Sequence, residues 1–72
     1  MTKEVVLRDV SRLESSAVEA VLFQIRRDYG LHTTLTWGSG LFLRDAYIVL
    51  DGDQANIASA FYALSKWWHG GF

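Results

Sequence analysis

The 72-residue chain has no cysteine, no proline and one methionine, and only 21% of its residues are charged. Without cysteine there is no disulfide, and a zinc site of the usual kind is left with two histidines, His32 and His69. A chain of this length hides only about 60% of the surface exposed when unfolded, so natural domains of the size rely on disulfides, metals, self-association or dense packing. Disulfides are excluded and a metal is disfavoured, which leaves the last two. Without proline, no helix or strand interior is interrupted by a residue that lacks an amide donor. No hydrophobic run approaches the ~18 residues needed to span a bilayer, so no membrane partner is expected. Net charge is −1, and the seven basic residues are scattered apart from the adjacent pair Arg26 and Arg27. General nucleic-acid binding is disfavoured, because such domains gather their cations on one face. The first residues enter a strand pattern with no signal-peptide layout, and together with the missing thiols this gives a cytoplasmic expectation.

What the chain has in excess is apolar and aromatic surface. Half of its residues are hydrophobic, among them four Phe, three Tyr and three Trp. The clearest pattern lies over residues 57–68, where Ile57, Ala60, Phe61, Leu64, Trp67 and Trp68 recur at spacings of three and four, which places them on one face of a helix. Asp53 stands where that helix needs an N-cap, and Asp51, Gly52 and Asp53 form the turn before it.

The remaining elements follow from local pattern. Residues 4–10 read as a strand with Val5 and Leu7 on one face and Val6 and Val10 on the other; apolar residues on both faces suggest a place inside the sheet. Ser11 followed by Glu14 has capping-box form and opens a helix that runs to about Tyr29. Its apolar stripe is Ala17, Val18, Val21, Leu22, Ile25 and Tyr29, and Gly30 is placed to close it in a left-handed conformation. Phe23 falls outside the stripe, on the polar side with Glu19 and Arg27. Residues 31–37 alternate, Leu31, Thr33, Leu35 and Trp37 against His32, Thr34 and Thr36, as in a strand with one polar face. Gly38, Ser39 and Gly40 make a turn, and residues 41–50 are again strand-like, as one strand or as two broken at Arg44 and Asp45. The expected fold is α+β: a single compact β-α-β-β-α domain over residues 1–72, with a three- to four-stranded, mainly antiparallel sheet and two helices packed on one face.

No catalytic, cofactor-binding or metal-binding residues are assigned. His32, His69, Asp45, Asp51 and Asp53 show no recognised ligand spacing, and the Asp51-Gly52-Asp53 run lacks the sixth-position glycine and twelfth-position glutamate of a calcium loop. Ser39 between two glycines lies between strands, not at the strand-to-helix turn of a nucleophile elbow. The expectation is therefore a non-enzymatic protein–protein interaction module, a homodimeric regulator or inhibitor, with a phage or other mobile element as one setting. Its candidate contact residues are Phe23, Arg26, Arg27, Phe42, Trp67, Trp68 and Phe72, drawn from aromatic residues in excess of the core and the one cationic pair. Core packing of Trp67 and Trp68, and a helix-dipole role for Arg26 and Arg27, are the plainer explanations of those four. The alternative function is a small-molecule sensor whose ligand sits at a subunit seam lined by His32, Thr34, Thr36 and Trp37.

Overall fold

The computed structural model describes residues 1–68 of the chain. In chain order it contains strand β1 (Thr2–Ser11), helix α1 (Arg12–Tyr29), strands β2 (His32–Trp37) and β3 (Leu43–Asp51), and helix α2 (Gln54–Trp67). The fold is the expected small α+β domain. One three-stranded sheet has the order β1-β3-β2, with β3 pairing antiparallel to both neighbours. The sheet packs against the two helices.

Helix α1 is set at both ends by its own sequence. Glu14 Oε1 accepts a hydrogen bond from the Ser11 amide at 3.1 Å, which satisfies one orphan donor of the first turn. At the other end Gly30 takes φ 64°, ψ 31°, a conformation nearly free of cost only for a residue without Cβ. Val18, Leu22 and Ile25 are buried, while Val21 and Tyr29 border the core and Ala17 lies outside it. In α2 the buried positions are Ile57, Ala60 and Leu64. Asp53 is the N-cap by conformation, but its carboxylate makes no capping hydrogen bond.

Three expectations are corrected. First, β1 lies at a sheet edge and not inside the sheet; the central strand is β3. Second, Val10 shares a face with Val5 and Leu7, and all three are buried. The pairing register passes from Leu7↔Ala46 to Val10↔Arg44, so Arg8 and Asp9 together oppose the single residue Asp45. This bulge, with Asp9 at φ 56°, shifts the alternation by one residue and turns Val10 inward. Third, α2 ends at Trp67. Trp68 is the extended C-cap (φ −90°, ψ 112°), its amide donating to the Leu64 carbonyl at 3.0 Å, and it turns back into the core at 8% exposure while Trp67 remains exposed. The expected six-residue stripe is thus cut at its end, because leaving the helix rotates Trp68 inward and leaves Trp67 outside. Gly70, a glycine placed to close a helix that carried both tryptophans, lies outside the described residues.

Residues 43–51 form one continuous strand. Arg44 and Asp45 do not break it, and Leu41 and Phe42 belong to the preceding bend. The helices do not cover the sheet evenly. Val5, Leu7 and Val10 of β1 and Ala46, Ile48 and Leu50 of β3 are buried, whereas the inward-facing Thr33, Leu35 and Trp37 of β2 are only half-buried. The opposite sheet face is uncovered: His32, Thr34, Thr36 and Tyr47 are exposed there.

Candidate functional site

Chain direction brings four segments to one end of the domain. Strand β1 ends at Ser11, which pairs with Leu43 at the start of β3. Helix α1 begins there, the turn over residues 38–42 enters β3 there, and α2 returns to it, since Trp67 and Trp68 line a shallow depression with Glu14 and Ala17. This end is apolar: Leu13 is 92% exposed, Leu41 76% and Phe42 81%, with Leu43 and Trp67 also exposed. Five of the nine exposed large hydrophobic residues among those described therefore lie on segments that reach this end, with Leu43, in step with Tyr47, on the open sheet face. The turn that presents Leu41 and Phe42 is tightly folded. The Gly38 amide donates to the Asp45 carbonyl at 2.8 Å, and Gly40 lies so close to the Leu43 carbonyl that a Cβ could not be accommodated.

Behind that end, Arg44 ties the sheet to α1. Its Nη2 donates to Ser15 Oγ at 2.9 Å, and Ser15 Oγ donates in turn to the Ser11 carbonyl at 3.2 Å. The guanidinium lies 4.4 Å above the Trp37 ring. Its Nε is buried without a hydrogen-bond partner among the described residues. A half-buried arginine held by stacking and one hydroxyl is a structural strut, and it carries Trp37 toward the helices.

The other expected contact residues are dispersed. Phe23 is 58% exposed on the flank of α1, with the Arg26 guanidinium 5.9 Å from its ring. Arg27 is exposed and paired to Asp28 at 3.2 Å. Phe42 and Trp67 belong to the apolar end, Trp68 is core, its ring centroid 5.6 Å from that of Trp67, and Phe72 lies outside the described residues. Of the four residues expected to line a ligand seam, His32, Thr34 and Thr36 share the open sheet face, and Trp37 points to the opposite side beneath Arg44. Leu13, Leu41 and Leu43 went unnoticed in the sequence. Leu13 stands outside the α1 stripe just as Phe23 does, which is a readable signal; Leu41 and Leu43 fall in a strand-like run, of which Leu43 is indeed the first strand residue and Leu41 belongs to the bend.

The largest cleft, about 480 Å³, is open and runs between β1 and α2. Lys3 Nζ spans it, 4.7 Å from the Phe61 ring, and Ile57, Ala58 and Tyr62 form its apolar wall. Among the described residues no carboxylate or histidine lines it, and Ser65 Oγ donates to the Tyr62 carbonyl at 2.8 Å. Among the described residues no three of the His, Asp or Glu side chains gather as a metal site would require, and no helix is long and apolar enough to cross a membrane. Comparison with protein-family models, with curated proteins and with solved structures finds no match to this chain.

Proposed function

We propose that the chain is a small protein-binding module that acts without catalysis, as a regulator or inhibitor of a protein it contacts through its apolar end. The observation that supports this reading is that Leu13, Leu41, Phe42, Leu43 and Trp67, all exposed, lie on the segments that reach one end of the domain, beside a tightly folded turn. Exposed apolar residues scattered singly are ordinary, but five at one end of so small a domain are costly in water, and such a concentration is the character of a contact surface. An aromatic projecting from a preorganised turn also loses little conformational entropy when it enters a pocket, which is the character of interface anchors. The alternative sensor reading loses its aromatic wall with Trp37 turned inward, and no observation favours it. The test is a photo-cross-linking amino acid placed at Phe42 in cells that express the chain, with the same probe at exposed Ser59 as control. The expected result is one discrete adduct from position 42, abolished by Leu13→Ser. Equal cross-linking patterns from the two positions would overturn the reading.

A further inference from the structure

We infer that the free edge of β2, with the flank of α1 above it, is the interface for a second copy of this chain, the two β2 strands pairing antiparallel about a two-fold axis to make one six-stranded sheet. Among the described residues no strand pairs with the outer edge of β2, which leaves a row of backbone donors and acceptors there, and what satisfies such a row is another strand. Edges that must stay single are blunted by charge, proline or bulges. The sequence of β2, His-Thr-Thr-Leu-Thr-Trp, contains none of these, and it is regular along its whole pairing with β3. Its inward side chains Thr33, Leu35 and Trp37 are left half-covered by the helices, so a neighbouring strand would extend an unfinished core.

The residues beside this edge say which strand fits. Glu19, Leu22 and Arg26 of α1 line a groove with Thr33 and Leu35. Phe23 lies on the same flank, exposed, under the Arg26 guanidinium. Glu19 and Arg26 are thus opposite charges on either side of Phe23, and the middle of the groove lies level with Thr34. A two-fold axis perpendicular to the sheet at Thr34 keeps both helical layers on one side. It sets Thr33 opposite Leu35 of the second copy, brings the two Phe23 rings together, and faces Glu19 of each copy with Arg26 of the other. The flank is complementary to itself under that rotation, as an isologous interface must be. The inference does not rest on the proposed binding function, whose residues occupy the apolar end.

The test is a charge exchange read by native mass spectrometry and sedimentation across a concentration series. Wild-type protein is expected at twice the 8.2 kDa chain mass. Glu19→Arg and Arg26→Glu each set like charges across the axis and are expected as monomers, whereas an equimolar mixture of the two restores a 1:1 heterodimer. Phe23→Ser, at an exposed position, is expected to weaken the dimer by at least about tenfold without changing charge, while Phe42→Ser leaves it unaltered. A wild-type mass of one chain at every concentration, single charge variants that still pair, or a mixture that stays monomeric would each overturn the inference.

Discussion

The two outer strands of the sheet are finished in opposite ways. Strand β1 is long, carries Lys3, Glu4, Arg8 and Asp9 along its length, and is kinked by a bulge whose two residues are each tied to Asp45. The Asp9 amide donates to Asp45 Oδ1 at 3.2 Å, and Arg8 lies 3.6 Å from Asp45 Oδ2. Its inward residues are sealed beneath the helices. Strand β2 is short, free of Lys, Arg, Asp and Glu, regular, and only half-covered. The contrast shows where this small domain has spent its side chains: on one edge that rejects further strands, and on another left open to them.

The largest effect should come from the sealed side. Leu7 is fully buried in β1, and Leu7→Ala is expected to cost about 2–5 kcal/mol in urea unfolding, a large share of the stability of so small a domain. Leu35→Ala at the corresponding inward position of β2 should cost less than half as much when both variants are measured in the Glu19→Arg background, expected to be monomeric. Equal losses would erase the difference between the two strands. Next comes the turn that precedes α2. Gly52 has φ 155°, and a Cβ there would stand 2.6 Å from Leu31 Cδ2, so Gly52→Ala should destabilise by about 1–3 kcal/mol in the same assay. The bulge can be tested separately. Asp9 holds φ 56°, so Asp9→Val should cost about 1–2 kcal/mol while Asp9→Gly keeps both the left-handed conformation and the amide bond to Asp45 and stays close to wild type. The smallest effect is ionic. Glu19 and Arg26 are exposed, so added salt should weaken the dimer only a few-fold, in line with roughly 0.2–1 kcal/mol per surface pair.

Much of the architecture was legible in the chain. Helix α1 announces itself at both ends through Ser11, Glu14 and Gly30, and the alternation of residues 31–37 states which side of β2 faces in. Period-two counting back from Leu50, Ile48 and Ala46 also lands on Arg44, so the inward arginine was readable. What was not legible needed partners distant in sequence. The turning of Val10 depends on Arg8 and Asp9 opposing one residue of β3, and strand order decides that β1 is an edge; neither is written in local periodicity. The fate of Trp67 and Trp68 turns on the residue at which α2 stops, and a one-residue difference exchanges core for surface. Phe23 stood out from the start as an aromatic on a polar flank, but its meaning required β2 to lie beside it.

Amide hydrogen exchange of β2, followed against protein concentration, tests the open-edge account most directly. Amides on the free side of β2 are expected to become protected as concentration rises in the wild-type chain and to stay fast in Glu19→Arg, with the β1 edge indifferent to concentration in both. Free-side β2 amides that exchange at one rate over the whole range in the wild-type chain would contradict it.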